Sequence, residues 1–442
     1  MHNQYHSPTN AILCFAALIC MSPIFTLAFS PFSQNICTRS LSKHDAGPPV
    51  ATCSKVMAAM NEDLGPSISV KGDASKQKKK KNTVKWVACS STKEVTRAIK
   101  MYYKEGDTIA ELGSQLRESS IAICDSIGPE GKALLVDIER KFPNEKNGKA
   151  RTTAMRRKGD EDTFYNDRTT FVETKAFEYW REALFFSDEE KPKYNGLVVD
   201  VSTVAGNDLD LTCISLIKEF LALNSSSEDD DNACRVIIVK SRSLHDLARR
   251  LFHAQRILNG AQSLDSEFNI GKTSIIGTVG VEEYRRTIPY VVKEGDAVIE
   301  VGSHFGTSTA LLHDAARGQD GSSTIGGCIG VDVGPHIIES AKKKFPIVPF
   351  EVGDAWKMAD LVRMKSKYFN DHPSQRIYDA VYVDIGGLSG SEGLLEAISL
   401  LSSITNTLEP RCIVIKSLCM RRLASSLVPF SEIWKKERQK QI

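Results

Sequence analysis

An internal repeat constrains the fold of this chain more than any other feature of its sequence. The segment Lys104–Ser114 (KEGDTIAELGS) matches Lys293–Ser303 (KEGDAVIEVGS) almost residue for residue. Further matching pairs follow in the same order, namely Leu134–Asp137 with Ile329–Asp332, Tyr194–Ser202 with Tyr378–Gly386, and Arg235–Ser241 with Arg411–Ser417. Self-similarity over this length predicts two copies of one α/β domain in tandem.

Each copy alternates short apolar runs with amphipathic segments, a pattern typical of strands and helices in a covered parallel sheet. The sequence therefore predicts two Rossmann-like α/β domains, each a doubly wound, mainly parallel sheet with helices on both faces. Helices are predicted at Thr92–Tyr103, Ser114–Ile127, Leu209–Leu223 and Ser243–Leu258 in the first copy, and at Glu282–Val292, Thr307–Arg317, Pro335–Phe345, Ala355–Met364 and Leu394–Leu408 in the second.

With 442 residues, the chain is long enough for more than one domain. We expect a targeting presequence and a disordered basic linker over residues 1–83, a first domain over 84–258, a linker over 259–272 and a second domain over 273–442. Residues 141–170 and Ser225–Asn232 are rich in charge and predict solvated loops.

The amino-terminal residues have the composition of a targeting signal. The apolar stretch Ala11–Phe29 contains Ser22, Pro23 and Thr26, so a signal-peptide core is favoured over a membrane span. The Ser-rich, acid-poor segment from Ser30 to Lys55 is typical of a transit peptide. The junction TLAFSP resembles the cleavage motif of presequences in algae with secondary plastids. We therefore expect a plastid protein without a stable membrane span when mature, with the secretory pathway as the alternative.

Cysteine spacing and net charge give limited information on metal sites and on partners. The eleven cysteines show no CxxC pair and no Cys/His cluster at metal-ligand spacing, so no metal site is predicted. A net charge of +2 neither favours nor excludes nucleic acid as a partner. The sequence gives no indication of the oligomeric state.

The segment Lys293–Thr309 contains the pattern of a ligand site. A buried strand ending near Glu300 is followed by a turn with Gly302 and Gly306 and then by a helix, which is where an open α/β sheet binds a nucleotide-like ligand. A second apolar strand ends on Asp332, where a carboxylate can accept hydrogen bonds from both hydroxyls of a ribose.

These motifs resemble those of class I S-adenosylmethionine-dependent methyltransferases over about Thr273–Leu427. The resemblance is carried by EVGSHFG, VDVG, VGDAW and YDAVYVDIGG, in this order. It implies S-adenosyl-L-methionine as cofactor, with the glycines under its methionine part, Asp332 on the ribose and Asp354 on the adenine. The cofactor-binding residues that it implies are Glu300, Gly302, Ser303, Gly306, Asp332, Asp354, Ala355 and Asp384.

The chain departs from the family pattern in two places. His304 replaces the usual central glycine of the turn, and the chain ends too early for the two strands that usually complete the sheet. The substrate lid is therefore expected to be minimal or borrowed from the other copy. A nicotinamide-dependent dehydrogenase is disfavoured, because its fingerprint needs a third glycine and room for a diphosphate.

Asp384 and Lys416 follow two predicted strands and resemble the Asp and Lys of ribose 2′-O-methyltransferases of the fibrillarin and FtsJ types. The resemblance implies that this pair is catalytic and that the methyl acceptor is RNA. A small-molecule or protein O-methyltransferase and a non-catalytic binding protein remain alternatives, because Asp200 and Lys240 repeat the pair in the first copy. Arg117 stands where Gly306 stands in the second copy, so we expect the first copy not to bind the cofactor.

Overall fold

The computed structural model describes residues 84–113, 118–138, 169–174, 193–201, 209–224, 234–260, 272–318, 325–389, 393–431 and 433. All of them belong to one compact unit, Asp63–Ile442. The presequence, residues 141–168 of the first predicted loop, Ser225–Asn232 and most of the linker lie outside the described residues. Plastid targeting and the domain limits therefore stay predictions.

The first half of the chain alternates strands and helices, as predicted. Its elements are β1 (Lys85–Cys89), α1 (Thr92–Tyr102), β2 (Thr108–Leu112), α2 (Glu118–Ile127), β3 (Lys132–Ile138), β4 (Thr169–Thr174), β5 (Gly196–Val199), α3 (Leu209–Asn224), β6 (Val236–Lys240), α4 (Arg242–Arg250), β7 (Leu251–His253) and α5 (Ala254–Leu258). Capping fixes where helices begin: the Ser91 side chain accepts a hydrogen bond from the backbone N–H of Glu94 at the start of α1.

The second half repeats this order. Its elements are β8 (Ser274–Thr278), α6 (Val281–Arg286), α7 (Ile288–Val291), β9 (Ala297–Val301), α8 (Thr307–Arg317), β10 (Gly327–Asp332), α9 (Pro335–Lys344), β11 (Phe350–Val352), α10 (Met358–Tyr368), β12 (Ala380–Val383), α11 (Gly393–Leu408), β13 (Cys412–Lys416), α12 (Leu418–Ser426) and β14 (Leu427–Pro429), with a 3₁₀ turn at Gly386–Ser389.

The strands form two seven-stranded sheets with the same order. The first sheet runs β4-β3-β2-β5-β6-β1-β14 and the second β11-β10-β9-β12-β13-β8-β7. Every described strand pair is parallel. Apolar helix residues pack on both faces of each sheet, and one cluster joins Phe220 of α3 to Leu400 of α11. The predicted fold class, two doubly wound parallel sheets, is confirmed.

The two sheets exchange their last strands. Strand β7 follows the first sheet in the chain but pairs with β8 at the edge of the second sheet. Strand β14 lies near the chain's carboxyl end and pairs with β1 at the edge of the first sheet. Each half therefore supplies the last strand in the sheet of the other half. The sequence predicted that the second sheet would lack its closing strands, and β7 lies at that edge.

The prediction of one continuous helix over Ser243–Leu258 is wrong in the middle of that range. Helix α4 ends at Arg250, and Leu251–His253 become extended before α5 resumes at Ala254. Leu251 and Phe252 are both buried but belong to apolar clusters on opposite faces of the sheet. Adjacent side chains point to opposite sides in a strand but not in a helix, so tertiary packing overrides the helical pattern.

Two other predicted helices differ in their bounds. The helix over Glu282–Val292 is divided at Thr287, since Pro289 lacks the N–H that a continuous helix would need. The helix predicted from Ala355 begins at Met358, because the Asp354 carbonyl accepts a hydrogen bond from Lys357 N at 3.0 Å and closes a separate turn. No strand was predicted at β1, β4, β7, β8, β11 or β14. The loop predicted over 141–170 is wrong at its end, because Thr169 and Thr170 pair with β3 as the start of β4.

The repeated KEGD letters form a structural turn. Asp107 and Asp296 accept hydrogen bonds from the backbone N–H of Lys104 and Lys293, at 2.8 Å and 2.7 Å. The same two carboxylates pair with Arg235 at 2.5 Å and Arg411 at 2.7 Å, arginines that directly precede β6 and β13. These pairs lie at the amino ends of the strands, so the most similar letters of the repeat serve the fold rather than the site.

Candidate active site

The candidate residues meet at the carboxyl edge of the second sheet. Because β11, β10, β9, β12 and β13 are parallel neighbours, their ends bring Asp354, Asp332, Gly302, Asp384 and Lys416 to one edge in that order. After β9 the chain continues to β10 on one side, and it returns to β12 on the other. A reversal of this kind leaves a crevice between β9 and β12, which is where open α/β sheets bind ligands.

The turn after β9 depends on a close backbone approach. Gly302 has φ of 82°, and a Cβ there would lie 2.1 Å from the carbonyl oxygen of Asp384. No other residue fits, so Gly302 holds β9 and β12 together at the crevice. The same geometry occurs in the first half, where a Cβ on Gly113 would lie 1.9 Å from the Asp200 carbonyl oxygen.

Gly306 also serves the packing beneath the turn, and its predicted contact with the cofactor stays a prediction. Its φ of 79° suits the residue before α8, but a Cβ there would lie 2.4 Å from the Phe350 ring and 3.3 Å from Ala341. The absence of a side chain therefore makes room for packing beneath the turn. Its contribution to a ligand would come from the backbone alone. Arg117, the residue that replaces it in the first half, lies outside the described residues.

Asp332 ties the turn to the neighbouring strand. Its Oδ2 accepts a hydrogen bond from the backbone N–H of His304 at 3.1 Å, and its Oδ1 accepts one from Gly334 at 3.0 Å. His304 adopts φ of 47°, a left-handed conformation that this bond supports. Each carboxylate oxygen keeps a second lone pair, so the half-buried Asp332 can still accept from two hydroxyl groups.

Exposed apolar side chains stand close in the sequence to these carboxylates and to the turn. Phe305, Val333, Val352 and Trp356 end or follow the same three strands and are between 48% and 68% exposed. The Asp354 Oδ1 accepts a hydrogen bond from the backbone N–H of Trp356 at 3.0 Å. Apolar surface with a few convergent polar groups is typical of small-molecule and cofactor sites. None of these four residues was predicted to be part of the site, although each stands within three positions of a motif acid or glycine.

Ser303 supplies a polar atom without a partner. It is 5% exposed, and its Oγ makes no hydrogen bond within the described part of the chain. A buried hydroxyl in this state costs about 1–3 kcal/mol unless a ligand or water satisfies it. Its position in the turn fits the polar part of a bound cofactor. Ala355, by contrast, is buried and offers only its backbone.

Glu300 is buried beneath the turn, and its predicted contact with the cofactor stays a prediction. It is 1% exposed, and its two carboxylate oxygens accept hydrogen bonds from Tyr284 at 3.1 Å and Thr309 at 2.5 Å. Burial raises the pKa of Glu300 to about 7, against the lowering effect of these two hydroxyl donors. In the first half Glu111 accepts from Ser119 and Ser120, both at 2.6 Å. Glu300 therefore anchors α8 and α6 beneath the turn.

Asp384 and Lys416 form an ion pair on adjacent strands, as the sequence predicted they could. Lys416 Nζ contacts Asp384 Oδ1, and the two side chains remain 26% and 17% exposed. The backbone of Asp384 is the one that approaches Gly302, so the pair lies beside the turn. Lys240 and Asp200 make the same pair at 2.9 Å in the first half.

The described ranges contain neither a cluster of metal-ligand side chains nor a membrane-spanning helix. No three His, Cys, Asp or Glu side chains there come together as metal ligands. In the same residues, no helix is long and apolar enough to cross a membrane. The thiols of Cys328 and Cys412 are buried, and burial raises their pKa.

No protein-family model matches the chain, and no curated protein matches it significantly. Among solved structures, one that is similar is a TehB-like SAM-dependent methyltransferase from Corynebacterium glutamicum. The match has 20% sequence identity and a TM-score of 0.20, and it covers 30% of this chain and 60% of that protein. The proposed function therefore rests on the geometry of the site.

Proposed function

We propose that the second half of the chain binds S-adenosyl-L-methionine and transfers its methyl group to a ribose hydroxyl of RNA. The observation that carries the proposal is the ion pair of Asp384 and Lys416 beside the turn at Gly302, with Asp332 and Asp354 at the next strand ends. This edge of the sheet thus combines carboxylates that can accept hydrogen bonds from a nucleoside with an ion pair that can orient a hydroxyl group and accept its proton.

Each residue at this edge of the sheet would have a separate role in binding the cofactor. Asp332 accepts hydrogen bonds from the ribose hydroxyls of the cofactor, Asp354 accepts one from its adenine amino group, and the exposed apolar side chains cover the adenine faces. The Ser303 hydroxyl and the first N–H groups of α8 bind the polar methionine part, since a helix amino terminus favours a carboxylate. The bound cofactor supplies a methyl group on a positively charged sulfur.

The pair would act on the acceptor. Lys416 donates a hydrogen bond to the acceptor hydroxyl and orients its lone pair toward the methyl group, in line with the breaking carbon–sulfur bond. Asp384 holds Lys416 with Oδ1 and accepts the hydroxyl proton with Oδ2. One carbon–oxygen bond forms as one carbon–sulfur bond breaks, and the proton lost from oxygen goes to the carboxylate.

A non-catalytic function is the second candidate, and a specific observation favours it. Asp200 and Lys240 keep the same ion pair at 2.9 Å in the first half, where Arg117 replaces the second glycine of the turn. If the ion pair is present in a half that does not bind the cofactor, its role there would be structural, namely to connect the ends of two adjacent strands. In that case the chain would bind a nucleoside-like ligand without turning it over.

Isothermal calorimetry with S-adenosylmethionine tests the binding step. We expect one site per chain, and a loss in affinity of tenfold or more for Asp332→Ala, since hydrogen bonds to a charged group contribute about 1.5–3 kcal/mol. Asp371→Ala is the matched control, because Asp371 is exposed in the loop before β12. Equal affinity in Asp332→Ala and wild type, or two sites per chain, would refute the assignment. Melting temperatures show whether the turn survives the change.

A further inference from the structure

An open surface groove, called the cavity below, has a volume of about 490 Å³ and lies against the helices that precede the turn at Gly302. It is lined by Val281, Glu282, Arg285 and Arg286 of α6, by Tyr290 of α7 and by Leu258 of α5. Leu258 belongs to the segment that crosses from the first half with β7. The cavity is therefore completed by the exchange of strands between the two halves.

Arg285 connects this cavity to the turn. Its Nε donates a hydrogen bond to Ser308 Oγ at 3.0 Å, and Ser308 is the second residue of α8, directly after Gly306 and Thr307. Its two terminal nitrogens have no hydrogen-bond partner among the described residues. A guanidinium group with free terminal donors fits the paired oxygens of a phosphate. Arg286 is exposed next to it and adds a second positive charge to the lining.

The rest of the lining fits a planar ring. Tyr290 is 51% exposed and Val281 40% exposed, so an aromatic face and an aliphatic side chain are both open to the cavity. Aromatic rings next to positive charge are the usual combination in sites for single-stranded nucleic acid. Glu282 adds an acceptor for the amino group of a base or for a hydroxyl.

We propose that this groove binds one nucleotide of the single-stranded RNA substrate outside the methyl-transfer crevice, with its phosphate on Arg285 and Arg286 and its base on Tyr290. The inference rests on the proposed function, because RNA is the methyl acceptor that the proposed function names. It also gives the first half of the chain a role, since that half supplies the wall at Leu258.

The test measures fluorescence anisotropy of a labelled ten-nucleotide oligouridylate on the full chain. Tyr290→Ala should weaken binding about tenfold or more, and Tyr290→Phe should keep it, because the loss of a stacked base is about this large. Arg286→Ala should weaken binding and reduce the slope of log affinity against log salt by about 0.7, the value for one phosphate contact on a single strand. Arg363→Ala is the matched control, as an exposed arginine on α10.

Calorimetry with S-adenosylmethionine on the same samples separates this inference from the proposed function. If the cofactor binds but Tyr290→Ala and Arg286→Ala bind the oligonucleotide like wild type, the inference is overturned and the proposed function stands. Competition by a polyglutamate peptide as strong as that by unlabelled oligouridylate would also overturn it, by assigning the cavity to an acidic protein. Weakening by the two cavity variants, with cofactor affinity unchanged, supports both.

Discussion

Replacing Lys416 or Asp384 with alanine should each lower methyl-transfer turnover by about a hundredfold or more, while cofactor affinity and melting temperature stay near the wild-type values. The reason is that the two side chains contact each other beside Gly302 and would share the acceptor hydroxyl and its proton. Turnover is measured with labelled S-adenosylmethionine and bulk RNA at saturating cofactor.

The first half of the chain offers a matched control for this experiment. Lys240→Ala and Asp200→Ala remove the equivalent ion pair from the other sheet, so they should keep turnover at the wild-type level. If instead the Lys416 and Asp384 variants melt early and retain their specific activity when folded, the pair is structural. The catalytic residues would then have to be sought elsewhere on the edge, beginning with His304.

Phe430→Ala should destabilise the first sheet, although Phe430 follows the last strand of the chain. Its ring is 1% exposed and packs with Val87 and Ile99 in the core of the first sheet. Loss of a buried phenylalanine costs about 3–5 kcal/mol. Hydrogen exchange should therefore show a loss of protection in Lys85–Cys89, far away in sequence, before a loss in β12 or β13.

A second variant tests the strand that the first half contributes to the second sheet. Phe252 is 3% exposed on β7 and packs with Ile276 of β8, so Phe252→Ala should lower protection in Ser274–Thr278. Phe350→Ala is the control within one sheet, because Phe350 packs with Ile338 and Ala341 and should affect β10 and β11. Loss of protection that stays within each variant's own half would show that the strands are not exchanged in solution.

The strand exchange shows where sequence reasoning fails for this chain. Strands β7 and β14 have three residues each, and the apolar letters around Leu251 continue a helical pattern. Only pairing with a partner from the other half makes these residues extended. A local pattern contains no information on such a partner, so the prediction left the sheet edge open.

The site was predictable to the extent that strand ends determine it. Apolar runs ending in Asp332, Asp384 and Lys416 placed these residues at one edge, because parallel strands bring their carboxyl ends together. The roles of Gly306 and Glu300 were not predictable from spacing. Gly306 makes room for Phe350, and Glu300 binds Tyr284 and Thr309, and both contacts depend on packing between elements far apart in the sequence.

The most direct test of the central proposal is the chemical identity of the labelled product. Bulk RNA is incubated with the full chain and S-adenosylmethionine labelled in its methyl group, digested to nucleosides and separated. The proposal predicts label in 2′-O-methylated nucleosides, with Asp332→Ala and Lys416→Ala giving little or none. Label confined to the bases or to protein, or no transfer by wild type although the cofactor binds, would contradict it.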